Sequence, residues 1–108
     1  DDILNLPLLS VGAVGFVSVC GHTVGPQLRE MLDAWFAGNA ARALEIHQKI
    51  LPVFTGTFRT QGAILSKAAL TLMGLPGGHT RLPLVDATPD QITQLRSDLI
   101  AGGVTLAQ

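Results

Sequence analysis

The sequence predicts an α/β fold that is mostly helical: one strand near the start, then a run of helices. Three observations carry this expectation. Gly15-Phe16-Val17-Ser18-Val19-Cys20 is a short apolar, β-branched run bounded by Gly12, Gly15 and Gly21, the pattern of a strand buried on both faces, as in parallel sheets. Nearly everything after it repeats apolar residues at helical spacing. A strand without a partner leaves backbone N–H and C=O groups open, and burying them costs roughly 1–3 kcal/mol each. The strand is therefore expected to pair with chain outside these 108 residues, and the sequence reads as a piece of a larger protein.

Taken in order, Ile3, Leu4, Leu6, Leu8 and Leu9 form a short apolar helical segment with Asp1 and Asp2 at its start, where negative charge suits the helix dipole, and Gly12 ends it. After the strand, Gly25 and Pro26 open a helix whose residues Leu28, Met31, Leu32, Trp35 and Phe36 keep the i, i+3, i+4, i+7, i+8 spacing of one buried face. This helix, through Trp35, is expected to be the main stabilising element. Gly38 suits its C-terminal end and Asn39 the cap of the next helix. That helix carries Ala43, His47, Ile50, Leu51 and Phe54 on one side, and Pro52 is expected to kink it or end its regular part. A further helix spans about 63–73, stopped by Gly74 with Pro76 beyond, and an extended connector follows over 77–85. Thr88-Pro89-Asp90-Gln91 is a capping box for the last helix; Ile92, Leu95, Leu99 and Ile100 form its apolar stripe, and Gly102 ends it. The order helix, strand, helix, then further helices fits the close of an α/β barrel with a helical extension. Residues 1–37 are expected to belong to the barrel and 38–108 to the extension.

Hydrophobic residues make up 47% of the chain and charged ones 14%, against about 25% charged in typical soluble domains. So little charge on so small a chain suggests surface shared with missing neighbours. A net charge of −1 without a Lys/Arg cluster argues against nucleic acid and anionic membranes as partners. No charged residue occurs from Ile3 to Gln27, a length that could cross a bilayer. Pro7, Gly12, Gly15, Gly21 and a mid-span change of period favour a buried α/β segment instead. One cysteine rules out an internal disulfide and points to a reducing compartment, and neither an initiator Met nor a signal peptide is visible.

Candidate chemistry is sparse. Asp1 and Asp2 could be an acid/base pair, although a solvated helix start explains them as well. His22, His47 and His79 lack metal-ligand spacing with Cys, Asp or Glu, so no metal is expected. His47, on an apolar face, reads as a satisfied packing residue. Cys20 and His22 fall at the strand's C-terminal end, where parallel α/β sheets bind ligands. A nucleophile pair is conceivable there, but packing for Cys20 and a wall position for His22 are favoured. Gly12-Ala13-Val14-Gly15 lacks the third glycine of a dinucleotide loop. Lys67, in an apolar helix, reads as snorkelling or ion-paired.

These residues resemble the C-terminal part of the dihydrodipicolinate synthases, in the pyruvate-dependent class I aldolase family. Asp1-Asp2 is similar to the end of the Gly-Asp-Asp motif after barrel strand seven. Residues 12–19 resemble the Gly-x-x-Gly-hydrophobic-hydrophobic-Ser-Val motif of strand eight. Ile64-Leu65-Ser66-Lys67-Ala68-Ala69-Leu70 with Gly74-Leu75 is similar to an extension helix, and Arg81-Leu82-Pro83-Leu84 to the connector after it.

The resemblance implies part of a (β/α)8 barrel lyase of lysine and diaminopimelate biosynthesis, cytoplasmic and homo-oligomeric. Its substrates would be pyruvate and aspartate semialdehyde. In that family a strand-six lysine forms a Schiff base with pyruvate, tyrosines and threonines relay protons, and an arginine holds the second substrate. The chain has no Tyr, and its only lysines, Lys49 and Lys67, fall on extension helices. No catalytic residue is thus expected here, no cofactor beyond that covalent Schiff base, and no activity from the chain alone. Its expected partner is the missing N-terminal part of the barrel. Val17 would offer its backbone carbonyl to pyruvate, Asp1 and Asp2 would stand at the barrel mouth, and His22 replaces a residue that is often Asn. The competing expectation is a free-standing helical interaction module without enzymatic activity.

Overall fold

The computed structural model describes residues 1–108. A 3₁₀ turn, Asp2–Leu4, leads into α1 (Asn5–Ser10), followed by α2 (Gly21–Phe36), α3 (Ala40–Thr57), α4 (Gly62–Leu72) and α5 (Pro89–Ala101). The order of helices follows the sequence pattern. Residues 13–18 take no regular secondary structure, so the expected strand is not formed within the chain. No backbone group from Val14 to Ser18 makes a backbone hydrogen bond to the rest of the chain. Phe16 and Ser18 are half-buried and Cys20 buried, whereas Val14, Gly15, Val17 and Val19 are exposed.

Local signals place the helix ends. Asn39 Oδ1 accepts from Arg42 N at 3.0 Å and caps α3. The Thr88 hydroxyl accepts from Gln91 N at 3.3 Å while Gln91 Oε1 accepts from Thr88 N at 2.9 Å, completing the capping box of α5. After α4, Gly74 takes φ +77. Its N–H donates to Thr71 O and that of Leu75 to Leu70 O, the paired bonds that close a helix C-terminus through a left-handed residue. At α5 that role falls to Gly103, φ +79, rather than Gly102.

Two boundaries differ from the expectation. α2 begins at Gly21, four residues before Gly25, with a break at Val24 (φ −128, ψ 27) just ahead of Pro26. Pro26 has no N–H to donate back into the first turn, so that turn and the long helix meet at a kink. α3 runs through Pro52 to Thr57 without ending there. Pro52 forfeits one backbone bond, but Ile50, Val53, Phe54 and Thr57 around it are all buried, and that packing holds the last turns in place.

One core cluster of 14 residues spans the chain, from Cys20, Val24, Leu28 and Met31 through Ile46, Ile50 and Phe54 to Leu95 and Leu99. Its centre is α3, which buries Ala43, Ile46, Ile50, Val53, Phe54, Gly56 and Thr57. α2 contributes less than expected: Trp35 is only partly buried at the edge of the cluster and Phe36 is 58% exposed. α3 and α5 approach closely, since a Cβ on Gly56 would lie 2.6 Å from the Asp98 side chain and one on Gly102 2.3 Å from Val53. Arg59 spans the same contact, donating to both Asp98 carboxylate oxygens at 2.7 and 3.0 Å. No helix is long and apolar enough to cross a membrane.

Candidate functional site

The densest polar construction gathers at the start of α2. Asp2, 3% exposed, sends its carboxylate inward rather than to solvent. Oδ1 accepts from Asn5 Nδ2 at 2.9 Å and from the Ser18 hydroxyl. Oδ2 accepts from the backbone N–H groups of Val19 and Cys20, both at 3.1 Å. Burial alone would raise the Asp2 pKa; the hydrogen bonds from Ser18, Cys20 and Asn5 outweigh it and hold the group below its ordinary value. Cys20 is the N-cap of α2 and offers no side-chain cap of its own. A carboxylate from 18 residues earlier therefore supplies the negative charge that a helix N-terminus favours. The solvated helix start does not describe Asp2. Asp1, beside it, is exposed.

Cys20 and His22 do not form a nucleophile pair. Because α2 starts at Gly21, the two lie on a helical turn, where i and i+2 face apart. Cys20 is 1% exposed, and burial pushes its thiol up to about 12, so it stays protonated and unreactive. His22 is exposed at the helix start. Val17 is wholly exposed on the unpaired segment. His47 packs its ring against Phe54 with centroids 5.8 Å apart. Its buried Nδ1 has no hydrogen-bond partner, so it packs without being satisfied. Burial lowers its pKa.

A second polar group lies on the connector. Asp86 accepts from Thr80 N at 2.7 Å and Thr80 Oγ1 at 2.9 Å, and meets His79 Nδ1 at 2.6 Å. These bonds, the backbone one foremost, bring the exposed Asp86 carboxyl down to about 2. Beside it opens a cleft of about 210 Å³, floored by Ile64, Ala68, Leu72 and Ile92 and rimmed by Lys67. Lys67 donates to Gly77 O at 3.0 Å and has no carboxylate partner, so the sequence reading is half met: the chain snorkels to a carbonyl. No three His, Cys, Asp or Glu side chains gather to hold a metal.

Neither group joins a nucleophile to a base, and neither is a reaction centre by itself. What the chain presents is an anchored segment ready to be covered: Leu4, Leu8, Val11, Val14, Val17 and Val19 all expose apolar side chains along it or beside it. The chain is mostly helical, with one extended segment that makes no backbone hydrogen bond to the rest of it. The model of the Dihydrodipicolinate synthetase family matches residues 1–101, and the chain belongs to that family. It is 64% identical over 106 residues to 4-hydroxy-tetrahydrodipicolinate synthase 2 of Streptomyces coelicolor, covering 98% of this chain and 36% of that protein. The corresponding synthase of Acidothermus cellulolyticus is 55% identical, over 97% of this chain and 34% of its own length. Among solved structures, that of DHDPS from Cyanidioschyzon merolae with lysine bound has a TM-score of 0.91 at 43% identity, over 97% of this chain and 36% of that one. Dihydrodipicolinate synthase from Thermotoga maritima has a TM-score of 0.92 at 33% identity. The chain thus spans about a third of the length of the relatives it matches.

Of the residues singled out by sequence, the structure brings Asp2 and Cys20 together and leaves His22, His47 and His79 apart; Ser18, read only as part of the strand, joins them. Asn5, the further donor to Asp2, was missed. Its spacing of three from Asp2 in a polar-poor stretch was the available signal.

Proposed function

We propose that this chain is the C-terminal part of a 4-hydroxy-tetrahydrodipicolinate synthase, a cytoplasmic, homo-oligomeric lyase of lysine biosynthesis. The parent would condense pyruvate with aspartate semialdehyde. One observation carries the reading: 64% identity sustained over 98% of the chain to a protein of that name. The segment 14–18, which makes no backbone hydrogen bond to the rest of the chain, supports it, because its open backbone groups are those a barrel strand would pair on both sides. Residues 1–37 close the barrel in this reading, 38–108 form the extension, and the Val17 carbonyl forms part of the pyruvate wall.

The chemistry would lie in the part of the parent before Asp1. There a lysine amine attacks the pyruvate ketone and water leaves, forming the Schiff base. Loss of a methyl proton then gives the enamine that attacks the aldehyde carbon. Asp2 is turned toward Ser18, Val19 and Cys20, so it would serve the barrel mouth through that segment. Exposed Asp1 is free to face the second substrate. Lys67 is engaged with Gly77 O, and Lys49 stands on α3.

Borohydride trapping tests the reading. The full-length protein incubated with pyruvate should gain one covalent adduct at a single lysine, saturably, and the 108-residue chain alone should gain none. Saturable trapping on Lys49 or Lys67, or none on the full-length protein, would overturn it.

A further inference from the structure

We infer that the helical extension walls the approach of the aldehyde substrate, and that Phe58, at the C-terminal end of α3, is a specificity-determining residue that limits the aldehyde's size. This rests on the function proposed above. The placement follows from contacts within the chain. Asp2 accepts from the N–H groups of Val19 and Cys20, so the first turn lies against the far end of the extended segment. In the barrel that is the strand's C-terminal end, the face on which (β/α)8 enzymes carry their active sites. The corner between α3 and α4 reaches the same place. A Cβ on Gly62 would lie 3.3 Å from Val19 Cγ1 and 3.0 Å from Phe58 Cε1. Between that corner and the first turn opens a cleft of about 270 Å³, lined by Asp1, Ile3, Phe54, Thr55 and Phe58. These contacts join residues of this chain, on a backbone shared with the complete synthases of known structure. Pairing of the extended segment with neighbouring strands therefore leaves them in place. Phe54 is 1% exposed and Phe58 38%, so Phe58 is the ring that a molecule in the cleft meets. Gly62 stands against its edge and keeps it from withdrawing. Thr55 donates its hydroxyl proton to the Leu51 or Pro52 carbonyl, which leaves no lining side chain with a free donor. An aldehyde or carboxylate oxygen finds no partner there, and the cleft selects by shape.

The test uses the full-length protein with Phe58→Leu, Gly62→Ala and, as a control, Phe36→Ala, an exposed ring roughly 20 Å along α2 from Gly21. Borohydride trapping of pyruvate by the unsubstituted enzyme is measured first. Each protein is then assayed with pyruvate and either aspartate semialdehyde or its homologue carrying a methyl branch beside the aldehyde. Phe58→Leu should raise kcat/KM for the homologue relative to aspartate semialdehyde by about tenfold or more, the scale on which an apolar wall rejects one methyl group. Trapping and the KM for pyruvate should stay as they were, since the first step needs no aldehyde. Gly62→Ala sets a Cβ against the ring and should move the ratio the other way, with a higher KM for aspartate semialdehyde. It decides the matter if Phe58→Leu does not fold. Phe36→Ala should leave the ratio alone. An unchanged ratio in Phe58→Leu, an equal change in Phe36→Ala, or a KM for pyruvate that moves as much as that for the aldehyde overturns the role of Phe58 while leaving the proposed function standing. Absence of trapping in the unsubstituted enzyme overturns both.

Discussion

Two phenylalanines occupy hydrophobic positions that sequence periodicity treats alike, yet the structure assigns them very different weights. Phe54 on α3 is 1% exposed and Phe36 at the end of α2 is 58% exposed. Phe54 packs against the His47 ring and stands among the cluster that joins α2, α3 and α5. Truncating a buried Phe to Ala removes its transfer free energy and leaves a cavity, together about 3–5 kcal/mol. A domain of this size has roughly 5–15 kcal/mol in total. Each kcal/mol shifts Tm by about 4–8 °C for a small domain, so Phe54→Ala should lower Tm by roughly 12 °C or more. Phe36→Ala removes side-chain surface already in water and should change stability by no more than about 0.5 kcal/mol. Trp35→Ala, at the edge of the cluster, should fall between them. Urea unfolding of the 108-residue chain, followed by far-UV circular dichroism, compares the three. If Phe36→Ala costs as much as Phe54→Ala, the core is not centred on α3. The same holds if Phe54→Ala stays within about 1 kcal/mol of the parent.

Thr88→Ala removes the hydroxyl that caps α5 and should cost about 1 kcal/mol; amide exchange at Gln91, which loses its acceptor, should quicken more than exchange in α3. Gly77→Ala would set a Cβ 2.1 Å from the Lys67 carbonyl oxygen and 2.5 Å from Thr71 Oγ1, which should destabilise by about 1–3 kcal/mol through displacement of the connector from α4, read as a lower urea midpoint. Acid should unfold the chain in two windows. His47, its pKa lowered by burial, takes up its proton at lower pH in the folded chain than in the unfolded one, so stability falls as pH drops below the ordinary value of 6.5. Asp2, its pKa also lowered, contributes stability that is present above the ordinary 3.8 and lost as pH falls through the folded value. His47→Phe should flatten the upper window alone, as seen in urea midpoints measured across pH.

What was legible in the sequence was local. Asn39, Thr88 with Gln91, and Gly74 act on groups no more than five residues away, so a cap can be recognised from a short window. The apolar spacing of Leu28 and Met31, or of Leu95 and Leu99, likewise needs only the helical repeat. Features set by distant partners stayed hidden. Asp2 looked like a dipole-compensating residue because its own neighbourhood is a helix start, while its partners lie 16 to 18 residues on. The Arg59–Asp98 pair closes over 39 residues, and Gly56 and Gly102 owe their size to the helix opposite. Of the two outcomes expected at Pro52, a kink or an end, the end does not occur, because the residues around it are buried.

The charge-free run from Ile3 to Gln27 admits two kinds of apolar surroundings, and the backbone separates them. A segment placed in lipid must satisfy its N–H and C=O groups within itself, since hydrocarbon offers no donors or acceptors. Here the helical parts of the run do so, but residues 14–18 do not. The apolar side chains of Val11, Val14, Val17 and Val19 are exposed on and beside that same stretch. A cover that buries those side chains must also bring hydrogen-bonding groups at strand spacing. Lipid cannot meet that demand, and a packed helix face meets only half of it. A neighbouring β-strand meets both, and that is the neighbour the proposed barrel reading calls for.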